Sequence, residues 1–308
     1  MKKMDKKATM KKIYKSIDKA LNKLTVANAK DYLKYHKNKP WYTIALQGYV
    51  NVSKAMLGLL NEYAKKYSKI IEGKEIFNKK PSIKKDGKDK YRKIVKKDMQ
   101  KQIEKVNREF RKDLEELYEE ELEKIVLVLA AKKTAKELGL TYNFNKFNKF
   151  TRDYLKDKKI HWGKQVAETT EDRVKELLVK GFEEGLGSYD IADTIQADTY
   201  FSYTRAEMVA RTEVISSCNY ADFAMWHFDD GIYAKKWSAT GDDRTRLSHS
   251  IADGQVKKID EPFIVGGEKL MYPLDSSLGA SAENIVNCRC TMFHLTKEEY
   301  EKEKGKIF

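Results

Sequence analysis

The sequence predicts an α+β protein, with a long helical N-terminal arm followed by a small C-terminal domain of helices and short strands. The composition is 35% charged and 41% hydrophobic with only 4 prolines in 308 residues, which favours helices over a sandwich of many short strands. Apolar residues recur at helical spacing up to about His227, and short alternating runs follow Gly231. The length agrees with about two domains. We expect a basic helical region over residues 1–160 and a second domain over residues 161–308.

Three helical patterns make up the predicted arm. The first two meet at Pro40, and the second ends at Gly73. Residues 73–90 have no apolar period and are rich in lysine, so we expect an exposed connector there. The third pattern runs from Tyr91 to Gly139, where glycine provides a stop signal.

Further helices and a group of short strands are predicted for the C-terminal half. The predicted helices cover about residues 162–182, 188–195 and 203–227. The predicted strands, which are separated by Gly, Asp and Pro clusters, are 233–238, 255–259, 263–265, 269–272 and 290–295. We expect the helices to pack on the sheet, because each of these elements has an apolar face to bury.

Positive charge is concentrated in the N-terminal half. Residues 1–160 contain 43 Lys+Arg and 21 Asp+Glu (net +22), whereas residues 161–308 contain 18 and 26 (net −8). A basic region of this kind can bind nucleic acid by releasing counterions from phosphates, or dock on an acidic protein surface. Solvated lysine faces without a partner are the alternative interpretation.

The sequence also restricts the compartment. No stretch approaches the roughly 18 apolar residues of a membrane helix, so we expect no membrane partner. The N-terminal segment is polar, unlike a secretory signal, and we expect an intracellular protein with reduced thiols. The three cysteines, Cys218, Cys288 and Cys290, cannot all pair within one chain, which argues against a disulfide framework.

Three short blocks follow one another in the C-terminal half. In chain order they are Ala210-Arg211-Thr212-Glu213, then Lys236-Trp237 with Asp243-Arg244-Thr245-Arg246 and His249, then Asn287-Cys288-Arg289-Cys290. Between the second and third blocks, Asp253-Gly254, Phe263 and Pro273 continue the pattern. Taken together over about residues 160–295, these blocks resemble the domain of the phage Mu F minor head protein family.

The resemblance implies a phage or prophage minor capsid protein that acts in head morphogenesis, and it does not imply an enzyme. It implies association with the portal protein and with major capsid or scaffolding protein, together with a role in DNA packaging or ejection. We therefore expect the protein inside the phage head of the virion, and in the host cytoplasm during assembly. Non-specific DNA binding is the further expectation, and the region before residue 160 resembles the family only in being helical and variable.

Candidate zinc ligands lie in the second and third blocks. His249, Cys288 and Cys290 carry donors that zinc prefers, and Asp243 or Asp253 can supply a fourth ligand. Alternate residues of an extended strand point to the same side, so the two cysteines can share one metal ion. The spacing is not the paired C-x2-C of a strong zinc motif.

A purely structural interpretation explains the same residues. In it, the two cysteines are small core residues, and the Asn and Arg of the third block fix a turn through hydrogen bonds. Arg244 and Arg246 are expected to bind carboxylates, either within the domain, such as Glu213 or Asp253, or on a partner.

Two other classes of function remain open. Arg, Ser/Thr and Glu together are ingredients of an ADP-ribosyltransferase site, and His with Arg and Asp those of a nuclease. The sequence has no HExxH, P-loop or Gly-rich dinucleotide motif, and we expect no catalytic site. The other class is a non-specific DNA-binding protein that uses the C-terminal domain as a platform.

Overall fold

The computed structural model describes residues 6–78, 90–139 and 144–304, and it confirms the predicted α+β class. The helices are α1 Lys6–Tyr32, α2 Tyr42–Ile71, α3 Lys90–Ile94, α4 Lys97–Leu117, α5 Val128–Glu137, α6 Phe144–Glu183, α7 Ser188–Ala197, α8 Tyr203–Trp226, α9 Leu247–Ala252, α10 Ala282–Ile285 and α11 Lys297–Lys304. The strands are β1 Ala234–Ser238, β2 Val256–Lys258, β3 Phe263–Val265, β4 Glu268–Leu270 and β5 Thr291–Leu295. None of the helices in these ranges combines the length and apolarity needed to cross a membrane.

The third predicted helical pattern is divided in the structure. The helices α3 and α4 are separate, and a π-helical stretch, Tyr118–Leu127, joins α4 to α5. The pattern ends as predicted, because Gly139 takes a φ of 70° after α5. Most of the predicted connector, residues 79–89, lies outside the described residues.

The described residues form two compact units, each assembled from stretches that are distant in sequence. One unit consists of the described residues within 1–53, 126–142 and 210–308, and the other of those within 54–125 and 143–209. The helix α6 continues through residue 160. A domain boundary between residues 160 and 161 therefore stays a prediction.

The second unit has a core of aromatic and aliphatic side chains between α4 and α6. The residues of α4 that recur at spacings of three and four are buried; they are Met99, Ile103, Val106, Phe110, Leu114 and Leu117. The ring of Tyr63 lies 4.5 Å from that of Phe110, and its hydroxyl donates to Asp113 at 2.6 Å. Trp162 of α6 contacts Tyr118 with 5.4 Å between the ring centroids.

In the first unit, the C-terminal part of α8 is buried on all sides. Every residue from 212 to 226 is buried, which confirms the predicted buried helix. A three-stranded antiparallel sheet has the strand order β2-β1-β5, and β3 pairs with β4 in a separate hairpin. The hairpin turn is Gly266-Gly267, and both glycines take the positive φ that such a two-residue turn requires.

A buried carboxylate ties α8 to other parts of this unit. Asp222 accepts hydrogen bonds from the Trp41 indole at 2.8 Å and from the Thr134 hydroxyl at 2.6 Å. The ammonium of Lys39, itself mostly buried, lies 3.8 Å from the same carboxylate. Burial raises the pKa of Asp222, while Lys39 and the two hydrogen bonds act in the opposite direction.

Replacing Asp222 should therefore destabilise the protein severely. Asp222→Ala removes the negative charge beside Lys39 and leaves the Trp41 and Thr134 donors without their acceptor. We expect a loss of about 3–5 kcal/mol in the free energy of unfolding. The measurement is chemical denaturation, with Asp230→Ala at an exposed position of the same unit as the control. Equal stability of the two variants would contradict this role for Asp222.

Candidate metal centre

Strand pairing brings the second and third sequence blocks together. In the antiparallel pair of β1 and β5, Trp237 lies opposite Met292 and Ser238 opposite Thr291. The segment after β1 therefore starts at the same end of the sheet at which the segment before β5 finishes. The Thr240 hydroxyl accordingly reaches the carbonyl of Arg289 at 3.3 Å.

The first block fixes the turn that carries the third block. Asn287 has a φ of 60°, a left-handed conformation that asparagine tolerates better than most residues. Its backbone N–H donates to the Thr212 hydroxyl at 3.1 Å, and its side-chain oxygen accepts from the Arg211 guanidinium. Glu213 is buried on the same helix. The turn at Asn287 is thus held directly against α8.

A bidentate ion pair joins Asp242, which directly precedes Asp243 of the second block, to Arg289 of the third block. The Arg289 guanidinium donates to both carboxylate oxygens of Asp242, at 2.5 and 2.6 Å. This pairing holds the pKa of Asp242 well below its usual range. The Arg289 side chain is only 5% exposed, so the pair is shielded from solvent on one side.

The two arginines of the second block have partners within the protein. Arg246 donates to the backbone carbonyl of Val286 at 2.5 Å. Arg244 is half exposed, with its guanidinium 3.7 Å from Asp31 and 3.8 Å from Asp242. The network is internal, as one sequence interpretation held, but its strongest pair is formed by Arg289 and Asp242.

Trp237 and Asp253 contact residues next to this network. Asp253 accepts a hydrogen bond at 2.8 Å from the backbone N–H of Ala239, just beyond β1. The Trp237 ring is buried and meets His249 and Phe263 edge-on, with centroid distances of 5.9 and 5.2 Å. The indole therefore packs against the histidine ring on one side and the β3 core on the other.

His249, Cys288 and Cys290 form a cluster that can hold a metal ion. All three are buried, and their donor atoms lie within 4.8 Å of one another. His249 Nδ1 is 3.3 Å from Cys290 Sγ and 3.5 Å from Cys288 Sγ. With zinc bonds of about 2.05 Å to nitrogen and 2.3 Å to sulfur, tetrahedral geometry separates such donors by about 3.6 Å. The two nitrogen–sulfur distances therefore agree with a tetrahedral metal.

The remaining candidate ligands lie apart from this cluster. Asp243 is exposed and does not belong to the group of donor atoms, and Asp253 is bonded to Ala239. Within the described part of the chain, the His249 Nε2 atom is buried and has no hydrogen-bond partner. The imidazole is thus oriented by ring packing and by the two thiols.

The two thiols have different acidities. Burial raises the pKa of Cys288, but donation from the Cys290 thiol and backbone N–H, with help from Arg246 and Arg289, lowers it overall. The pKa of Cys290 is raised, because its thiol donates to Cys288 and is buried. A bound metal would require both thiols to be deprotonated.

Several residues of this site were not found by sequence reasoning. Tyr32 of α1 donates to the carbonyl of Cys288 at 2.8 Å, and Tyr35 lies under the Arg289 guanidinium at 5.9 Å. Asn219 of α8 bonds to the carbonyl of Cys290 at 3.1 Å. These residues belong to helical patterns in which they resemble ordinary core positions, so no local signal distinguishes them. Asp242 lay beside the recognised block and could have been included.

Comparison with known proteins confirms the resemblance. The family described as Phage Mu protein F like protein matches residues 172–293, a range that contains all three blocks. The C-terminal region of the chain is therefore similar to this phage family, as its motifs predicted.

Two curated relatives are similar over part of their length. An uncharacterized protein, YqbB of Bacillus subtilis (strain 168), is 31% identical over 150 residues, which cover 46% of this chain and 47% of the relative. The NAD(+)--arginine ADP-ribosyltransferase EFV of Enterococcus faecalis (strain ATCC 700802 / V583) is 33% identical over 120 residues, 37% of this chain and 23% of the relative. The chain thus spans less than half the length of either relative. No solved structure is significantly similar to it.

Two substitutions at Asn287 separate backbone strain from hydrogen bonding. Asn287→Gly keeps the positive φ at no steric cost but loses the contact with Arg211, whereas Asn287→Ala loses the contact and adds strain. We expect the alanine variant to be less stable than the glycine variant by about 1–2 kcal/mol. Denaturant unfolding of both variants provides the measurement, and equal stabilities would contradict the left-handed turn.

Proposed function

We propose that the protein is a minor head protein of a phage or prophage and acts in head morphogenesis by binding and assembly. The match to the phage Mu protein F like family over residues 172–293 supports a head morphogenesis protein. The observation that supports the assembly role is that the motif side chains bind other groups of the same chain. Arg211, Arg246 and Arg289 bind Asn287, Val286 and Asp242, so three of the four motif arginines serve to hold the fold.

The partners follow from the same proposal. We infer that the protein binds the portal and the major capsid or scaffolding protein, enters the procapsid, and contacts DNA there. It is made in the host cytoplasm and lies inside the head of the virion. The net charge of +22 over residues 1–160 supports contact with DNA or with an acidic capsid surface.

Procapsids purified with and without this chain test the assembly role. We expect the protein to sediment with procapsids and to be cross-linked to the portal in particles that contain it. Particles that lack it should be fewer or defective in packaging or delivery of DNA. A chain that stays entirely in the soluble fraction, with normal particles in its absence, would contradict the proposal.

An enzymatic function is the rival proposal, and the transferase relative is the observation that favours it. The similarity covers only 23% of that relative. It therefore supports a shared region and does not by itself extend the transferase activity to this chain. Consumption of NAD by the purified full-length protein would support the rival function, and its absence would favour assembly.

We further propose that His249, Cys288 and Cys290 bind zinc. The donor set, one imidazole and two thiols, is one that zinc prefers, and the distances between donors agree with tetrahedral coordination. The ion would connect α9, which carries His249, to the strand that begins after Cys290. When bound, it would supply a cross-link between the second and third blocks.

Metal analysis of protein purified without chelators tests the zinc proposal. We expect roughly one zinc ion per chain, with a loss of thermal stability on chelation, because a ligand that binds only the folded state stabilises it. His249→Ala should abolish binding, whereas His161→Ala, at an exposed position, should retain it. Equal zinc contents in the two variants would contradict the assignment.

The DNA contact makes a separate prediction for the full-length chain. Binding through phosphates should be indifferent to sequence and should weaken steeply between about 50 and 200 mM salt. Filter retention of duplexes of unrelated sequence measures both properties. Binding that is absent, or unaffected by salt, would leave docking on a protein surface as the role of the basic region.

A further inference from the structure

The proposed metal site has three protein donors, one fewer than a tetrahedral ion needs. Among the described residues, the group of donors that lie within reach of one another contains His249, Cys288 and Cys290, without a carboxylate. The two aspartates considered from the sequence lie elsewhere, since Asp243 is exposed and Asp253 accepts from Ala239. A fourth ligand must therefore come from outside this group.

A small cavity adjoins the three donors. Its volume is about 10 Å³, and its wall includes the cluster together with Thr240, Thr245 and the arginine side chains of the motif. A cavity needs roughly 10–15 Å³ to hold one water molecule. The space beside the donors is therefore suited to a ligand of one heavy atom.

The wall of this cavity is positively charged. It contains Arg244, Arg246 and Arg289 and no carboxylate. A divalent ion held by two thiolates and a neutral imidazole has no net charge, so the arginines decide the sign of the preferred fourth ligand. Two of them are committed, Arg289 to Asp242 and Arg246 to Val286. Arg244 is half exposed, with its nearest carboxylates at 3.7 Å or more.

We propose that the fourth metal ligand is a monatomic anion or hydroxide from solvent, exchangeable and held in this cavity beside Arg244. This inference rests on the proposed zinc site and adds to it an open coordination position with a preference for small anions. Arg244 acts as a positioning residue, because its half-exposed side chain lines the cavity and its nearest carboxylates are 3.7 Å or more away.

Cobalt substitution of the full-length protein tests this inference. Cobalt bound by the two cysteines gives thiolate-to-metal charge-transfer bands, and its visible ligand-field bands report the fourth ligand. In chloride-free buffer, we expect added chloride to change the visible bands in a saturable manner. Sulfate at the same ionic strength is the control and should leave them unchanged, because the space beside the donors suits a ligand of one heavy atom.

Variants distinguish the sources of the fourth ligand. Arg244→Gln should weaken chloride binding about tenfold, the loss of one charge-assisted hydrogen bond, without altering the charge-transfer bands. Arg92→Gln, at an exposed position in the other unit, should behave as the wild type. If Asp243 were the fourth ligand, Asp243→Asn would gain a chloride response that the wild type lacks, and the inference would be wrong.

The remaining outcomes separate the two proposals. Charge-transfer bands without any effect of chloride would overturn the open position and leave the metal site intact. Absence of the charge-transfer bands, with no metal retained, would overturn both.

Discussion

One buried side-chain amide, that of Asn219, organises the part of the fold on which the candidate site depends. Its nitrogen donates to the carbonyls of Pro273 and Cys290 at 3.3 and 3.1 Å, and its oxygen accepts from the Thr291 hydroxyl at 3.1 Å. Both donors and the acceptor are thus satisfied in a fully buried position, where an unmade hydrogen bond would be costly. Through this residue, α8 fixes both the loop before α10 and the entry into β5.

Several neighbouring contacts also hold the turn that carries the third block. Asn287 is bonded to Arg211 and Thr212 on the same helix, and Arg289 is held by Asp242. Because these partners come from two stretches of the chain that are distant from the third block, the donor atoms of the cluster are positioned by the tertiary fold and not by local sequence alone. A bound metal would bind donor atoms whose positions hydrogen bonds already favour.

The sequence predicted the elements of this fold better than its long-range partners. Short alternating runs located the strands to within about two residues, and helical spacing identified α8 as buried. The start of α6 at Phe144 was missed, because the helical pattern was recognised only from residue 162 onwards. Asn219 and Tyr32 could not be recognised, because a single polar residue in a helical pattern does not reveal which distant carbonyl it will meet. The family resemblance identified the three blocks as one set. In the structure, the register of β1 and β5 brings the second and third blocks together.

Native-state hydrogen exchange in Asn219→Leu tests this account most directly. Leucine has a similar size but cannot hydrogen-bond, so the amides of residues 287–291 should lose protection relative to those of α4 in the other unit. The wild-type protein should protect both regions. Unchanged protection of residues 287–291 in the variant would show that the buried amide does not hold the site, and would contradict the account.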